Sequence, residues 1–211
     1  MSGATMVGAF LAGLVLIFAL AIAWGLRSRA AHFADAARTV NAEMLWTRFG
    51  APGWDREALL YGVPTDFSMT DVGWIVKDAH DREVGRIHGG VGGYALEIGG
   101  DRYRITWRRS LCYGAELRRA PDGGGDPASV LCALELAGPI TARVARFTPS
   151  GGAPLEVARP LGWPEERRGI VRDGAGIGAL CVLNVNRPMA RTVLVPGTVP
   201  VAVRMFLLAL G

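Results

Sequence analysis

VPVAVRMFLLALG, residues 199–211, is an almost unbroken apolar run with one charged residue, Arg204. It is compatible with a second membrane span, an adhesive tail or the buried centre of a folded domain. About a dozen residues are too few for an ordinary span, which needs roughly 20. A helix that is apolar all round is normally buried, and Pro200 suits its first turn because proline lacks the N–H that would be unpaired there. The sequence therefore predicts a buried helix over 199–210. Its predicted core residues are Val203, Phe206, Leu207 and Leu210.

The residues before this run alternate between apolar and polar side chains. In YALEIGGDRYRITW, residues 94–107, apolar residues recur at every second position on either side of the turn Gly99-Gly100-Asp101. This period predicts two antiparallel strands with one buried face and one solvated face. Arg102 and Arg104 fall on the solvated face.

Similar hairpins fill the chain from residue 73 onward, beginning with GWIVKDAHDREVGRI at 73–87. Further turns are predicted at Gly123–Asp126, Pro149–Gly152 and Asp173–Gly176, and a last strand at Ala190–Val195. Together these segments give about eleven strands of ordinary length. Such strands can close into a barrel wide enough to need filling, and the C-terminal helix would fill it. We therefore expect a mainly β fold at 73–211, a closed or nearly closed antiparallel barrel of about 11–12 strands around that helix.

The N-terminal residues predict a membrane anchor within 1–26. Ala4 to Leu26 contain no Asp, Glu, Lys or Arg, and a helix of this length spans roughly 34 Å against a hydrocarbon core of about 30 Å. A cleavable signal peptide is the competing interpretation, because Ala21-Ile22-Ala23 resembles a cleavage site. The leader has no basic residue and the apolar stretch is longer than an ordinary signal core, which favours an uncleaved transmembrane helix.

The residues flanking the predicted span indicate its orientation. Arg27, Arg29 and Arg38 follow the span and no basic residue precedes it, so the C-terminal bulk is expected in the cytoplasm and the N-terminus outside. This predicts a single-pass protein of a bacterial-type inner (plasma) membrane. Small residues spaced four apart let membrane helices approach closely, which indicates a homodimer or a larger membrane complex. These residues are Gly8, Ala9, Ala12 and Gly13.

Residues 27–72 are expected to form a juxtamembrane helical stalk and a linker. Apolar residues recur at helical spacing up to Met44, and Gly50 to Gly53 end the helix. The stalk is compatible with pairing to another copy, lying on the bilayer or packing against the domain. A short helical turn at Asp55–Tyr61 and the breakers Gly62-Val63-Pro64 complete the linker.

Arginine is the residue type that suggests a ligand. The chain carries a net charge of +4, and Lys77 is its only lysine. Arginine binds phosphate groups bidentately. If the hairpins pair as drawn, Arg108 and Arg118 lie on neighbouring strands and form a patch for phosphorylated head groups. The alternative is that these arginines are solvated and balance acids such as Glu116. The candidate lipid-binding residues are Arg102, Arg104, Arg108, Arg109, Arg118 and Arg119.

Motifs for catalysis, cofactors and metals are weak. HGGVGG at 88–93 looks like the oxyanion loop of some esterases, but the chain has no Gly-x-Ser-x-Gly elbow. GAGIG at 174–178 precedes a predicted strand, whereas a dinucleotide loop needs a helix there. The three cysteines form no Cys-x-x-Cys pair, and DGGGD at 122–126 lacks the periodicity of calcium loops. We therefore expect no enzymatic activity, no cofactor, no metal site and no nucleic-acid partner.

The predicted architecture resembles the tubby C-terminal-like superfamily, which includes the phospholipid scramblases and the LURP-one-related proteins. The resemblance covers about Asp71 to Gly211 and rests on three segments. They are VKDAHDREVGRI at 76–87, VRDGAGIGALCVL at 171–183 and TVPVAVRMFLLAL at 198–210. It implies a barrel of about twelve strands that binds phosphoinositides, or contacts or moves lipids. The scramblase-type cysteine cluster is absent and the predicted anchor is N-terminal, which argues against scrambling.

Together these observations predict a non-enzymatic, membrane-anchored β-barrel that faces the cytoplasm. Its expected partners are membrane lipids with anionic head groups, or a protein. The alternative is an accessory structural subunit of a larger membrane complex, held by its transmembrane helix and stalk.

Overall fold

Twelve antiparallel strands close into a barrel in the computed structural model of the chain, and a C-terminal helix packs into the barrel core. The structure describes residues 13–25, 27–28, 39–67, 72–90, 93–108, 114–120, 129–137, 144–158, 167–183 and 190–210.

The elements follow one another in a simple up-and-down order. The strands are β1 Leu59–Phe67, β2 Val72–Asp78, β3 Glu83–Gly90, β4 Gly93–Ile98, β5 Asp101–Arg108, β6 Gly114–Arg119, β7 Val130–Ala137, β8 Val144–Pro149, β9 Leu155–Ala158, β10 Arg167–Arg172, β11 Ala175–Leu183 and β12 Ala190–Leu194. The helices are α1 at 13–25, α2 Ala42–Phe49 and α3 Val201–Leu210, with a 3₁₀ turn at Arg56–Ala58. Each strand pairs with the next, and β1 also pairs with β12 to close the barrel.

Strands β2 to β12 are the eleven that the alternating pattern predicts. Leu96 and Ile105 are fully buried in the core, while Arg102 and Arg104 are exposed, as expected for one inward and one outward face. The tight turns at Gly99-Gly100 and Asp173-Gly174 place residues at positive φ, which glycine accommodates without strain. The mainly β class, the antiparallel pairing and the closure of the barrel are thus confirmed; the predicted turn at Gly123–Asp126 lies outside the described residues.

The prediction that 59–67 belongs to a linker was wrong, because this segment is strand β1. Gly62 and Pro64, interpreted as breakers, both lie within the strand and pair with β2. A Cβ on Gly62 would stand 3.2 Å from Leu208 Cδ2, so the glycine leaves room for α3. The barrel therefore begins at Leu59 rather than at residue 73.

Helix α3 fills the barrel core. Val203, Phe206 and Leu207 are at most 3% exposed, and Leu210 is half-buried at the end of the helix. The ring of Phe206 meets that of Phe147 on β8 edge to face, with 5.3 Å between the centroids. The terminal run is therefore a core helix and neither a surface tail nor a second span.

Helix α2 packs against the outside of the barrel. Its buried residues Leu45 and Phe49 join a second core cluster with outward-facing residues of β1, β11 and β12, among them Tyr61 and Cys181. The Asp81 carboxylate, in the turn after β2, accepts the backbone N–H of Ala42 at 2.8 Å and the Tyr61 hydroxyl. Of the three arrangements left open for the stalk, the structure has this helix on the domain.

The described part of the predicted span, residues 13–25, is helical with exposed apolar side chains from Val15 to Trp24. Among the described residues, no helix has both the length and the hydropathy needed to cross a bilayer. Gly8, Ala9 and Ala12 lie outside the described residues, and Gly13 stands at the start of α1.

Candidate anion-binding groove

An open groove of about 710 Å³ lies along strands β4, β5 and β6. Four of the six predicted lipid-binding arginines line it: Arg102, Arg104, Arg118 and Arg119. Thr106, which alternates onto the same face as Arg102 and Arg104, contributes a hydroxyl. The groove therefore presents guanidinium groups and a neutral donor on one stretch of barrel wall, a combination suited to an oxyanion.

Strand register brings Arg104 and Arg118 directly opposite each other on β5 and β6. Arg108 and Arg118 lie on neighbouring strands, as predicted, but Arg108 pairs with Gly114 at the other end of β6 and does not line the groove. Arg109 lies outside the described residues. The basic pair in the groove is thus Arg104 and Arg118.

Carboxylates hold most of these arginines in place. Arg118 donates from Nε and Nη2 to Glu116 Oε2, at 3.1 and 2.7 Å, and the Glu116 side chain is only 6% exposed. Arg102 Nε lies 3.3 Å from Glu97 Oε1, and Arg119 pairs with Asp101 at the end of the groove. The alternative interpretation, that arginines balance nearby acids, therefore holds for these three.

Arg104 differs from its neighbours. Its side chain is exposed, and among the described residues no carboxylate forms an ion pair with it. The excess positive charge of the groove is consequently centred on Arg104. Beside it lies the guanidinium of Arg118, which its hydrogen bonds to Glu116 hold in place. The sequence indicated which face these arginines occupy and named Glu116 as an acid that they could balance. It did not name Glu97, which stands opposite Arg102 on the neighbouring strand β4.

The sequence patterns did not single out Arg191, a charged residue on the inside of the barrel. Arg191 on β12 donates from Nη1 to the carbonyls of Leu208 and Ala209, at 3.1 and 2.6 Å, and its guanidinium lies 5.2 Å from the centre of the Trp74 ring. A cation at a helix C-terminus satisfies its last carbonyls and complements its dipole. Arg191 thus fixes the C-terminal end of α3, and burial lowers its pKa.

The weaker motifs take structural positions. Residues 88–90 end β3 and Gly93 begins β4, while GAGIG lies in the β10–β11 hairpin and continues into strand β11. Cys132 faces the core, where burial raises its pKa to about 12, and Cys181 lies beneath α2. Within the described part of the chain, no three His, Cys, Asp or Glu side chains come together as metal ligands.

Comparison with known proteins gives no relative: the chain matches no family model, no curated protein and no solved structure.

Proposed function

We propose that this chain is a non-enzymatic, membrane-anchored binding module whose β4–β6 groove docks the anionic head groups of membrane lipids. In this proposal the N-terminal apolar segment anchors the protein in the membrane. The barrel faces the cytoplasm, where anionic lipids are concentrated. The proposal agrees with what the resemblance to the tubby-like proteins implies.

The observation that carries the proposal is the pairing of Arg104 with Arg118. Like charges directly opposite each other on neighbouring strands destabilise a sheet. Glu116 offsets the charge of Arg118, but Arg104 has no such partner among the described residues. A phosphate between the two guanidinium groups would offset the remaining charge and use the planar donors of both.

The apolar surface of α1 supports the membrane part of the proposal. Side chains from Val15 to Trp24 are exposed, at 53–78% for the large apolar residues Val15, Leu16, Ile17, Phe18, Leu20, Ile22 and Trp24. A contiguous apolar surface of this kind is typical of a segment that contacts lipid or protein. A barrel tethered close to a membrane would meet head groups at high local concentration.

The proposal is tested with the full chain held in nanodiscs of neutral phosphatidylcholine. Binding of these nanodiscs to separate vesicles is measured by co-sedimentation, with vesicles of phosphatidylcholine alone or with added phosphatidylserine, at low and high salt. We expect binding only to the anionic vesicles, weakened by salt. Arg104→Gln should weaken it roughly fivefold, since one basic residue at an anionic surface contributes about 1 kcal/mol.

Arg82→Gln is the matched control. Arg82 carries the same charge, is 72% exposed and pairs with Asp78 in the turn after β2, outside the groove. Equal losses in the two variants would reduce the effect to net charge and contradict a groove-specific site. Absence of binding to both kinds of vesicle would refute the proposal.

A second candidate is the accessory subunit of a membrane complex, favoured by the docking of α2. Because α2 packs on β1, β11 and β12 and is tied to Asp81, this end of the stalk is held on the barrel. This function predicts that the solubilised protein migrates with the mass of a larger assembly. Replacing residues 1–26 with an unrelated span should then release the chain from that assembly.

A further inference from the structure

The Glu97 carboxylate, on the wall of the β4–β6 groove, lies between two basic side chains. Arg102 Nε is 3.3 Å from Glu97 Oε1, and His88 Nε2 is 3.9 Å from Glu97 Oε2. Glu97 is also the only acidic residue among the described residues that line the groove. Arginine keeps its charge at all ordinary pH values, whereas histidine is the side chain that changes charge between pH 5 and 8. One carboxylate is thus shared by a permanent cation of the groove and by a residue that can gain a charge.

Strand register places His88 at the rim of the groove. On β3 it stands opposite Ala95 of β4, and Arg104 of β5 stands on the other side of Ala95. Neighbouring strands lie about 4.8 Å apart, so the backbones of His88 and Arg104 are roughly 10 Å apart. This separation is comparable to the Debye length of about 8 Å at physiological ionic strength. A positive charge on His88 therefore reaches the groove mainly through its near neighbour Glu97.

Few other charged groups face His88. The neighbour on the same face of its own strand is Arg86, which Glu83 holds through an Nε to Oε1 contact of 2.8 Å. On the other side, the residue of β2 opposite His88 is Gly73. In the described part of the chain, Glu97 is therefore the carboxylate that responds to the charge of His88.

We propose that protonation of His88 strengthens the binding of anionic head groups in the β4–β6 groove, an inference that rests on the proposed function. While the imidazole is neutral, the Glu97 carboxylate offsets the charge of Arg102. Once the imidazole takes up a proton from solvent, the imidazolium offsets the carboxylate, and the Arg102 guanidinium becomes available to a phosphate. Mild acidification thus adds one positive charge at the rim of the groove.

The test measures co-sedimentation of the full chain in neutral nanodiscs with phosphatidylserine-containing vesicles, at pH 7.5 and pH 5.5 and constant ionic strength. The wild type should bind up to roughly fivefold more tightly at pH 5.5, the effect of one added basic residue at an anionic surface. His88→Gln should show no such response and bind at both pH values as the wild type does at pH 7.5. His88→Arg should also show no response, but bind at both as the wild type does at pH 5.5.

His80→Gln is the matched control for the pH response. The His80 side chain is 54% exposed, against 57% for His88, and its Nε2 lies 2.7 Å from Glu57 Oε2, outside the groove. This variant should keep the full response. If it loses as much of the response as His88→Gln, the effect comes from net charge and the inference is overturned.

Glu97→Gln tests the path from His88 to the groove. It should bind more tightly than the wild type at pH 7.5, because the carboxylate that offsets Arg102 is gone, and unchanged or weaker binding would overturn the role of Glu97. Equal binding of the wild type at the two pH values would overturn the inference as a whole. If Arg104→Gln still weakened that binding, the proposed function would stand, whereas absence of binding at both pH values would refute the proposed function itself.

Discussion

The filling of the barrel by α3 is tested most directly at Leu207. This side chain is fully buried in the core cluster, and a leucine-to-alanine change at such a site leaves a cavity. Changes of this kind cost about 3–5 kcal/mol in the free energy of unfolding. For a protein of this size, each kcal/mol lowers the unfolding midpoint by roughly 2–4 °C. We therefore expect Leu207→Ala to melt roughly 10 °C below the wild type, measured by near-UV circular dichroism of the full chain in nanodiscs.

Two further leucine variants make this result interpretable. Leu207→Met conserves volume and should cost less than about 1.5 kcal/mol. Leu20→Ala removes the same atoms from α1, where Leu20 is 61% exposed, and should leave the barrel transition unchanged. If Leu207→Ala melted within about 1 °C of the wild type, α3 would not be the centre of the core. Other side chains would then have to occupy the interior of the barrel.

Three further predictions concern the contacts around the barrel. The hydrogen bond from the Tyr61 hydroxyl, followed by other hydrogen bonds and charges, lowers the pKa of Asp81. The Asp81 carboxylate therefore stabilises the fold fully above its unfolded-state pKa, near 4, and this contribution is lost as pH falls through its folded-state pKa. Asp81→Asn should flatten this loss of stability at acid pH, measured by urea unfolding across pH. Arg191→Met should lower the free energy of unfolding by about 1–3 kcal/mol, because two helix-terminal carbonyls lose a charged donor, and an unchanged urea midpoint would contradict this. Leu45→Asp should release α2 from the barrel and expose Cys181 to a thiol reagent under native conditions. The rate of Cys181 labelling in the wild type, expected to be slow, is the reference. Equally slow labelling in the variant would show that α2 does not protect this thiol.

The arginine groove shows how far local sequence information reaches. Alternation along β5 places Arg102 and Arg104 on the solvated face, because successive side chains of a strand point to opposite sides. Which arginine stands opposite Arg118 depends on the register between β5 and β6. Register is fixed by the packing of both strands and by the connection between them. Residue spacing alone therefore placed Arg108 and Arg118 on neighbouring strands without showing that Arg104 is the residue opposite Arg118.

The sequence by itself determined the strands whose outer face is solvated, because burial of one face imposes an alternation of apolar and polar residues. It also determined the C-terminal helix, because burial on all sides imposes a continuous apolar run. Only the tertiary structure decided the identity of β1. Leu60 faces the core while Leu59 and Tyr61 lie beneath α2, so both faces of this strand are buried and the alternation disappears. Gly62 looked like a breaker because the reason for it, the close approach of Leu208, comes from the far end of the chain. The closure of the barrel depends on this strand, and local periodicity contains no information about contacts made across such a distance in sequence.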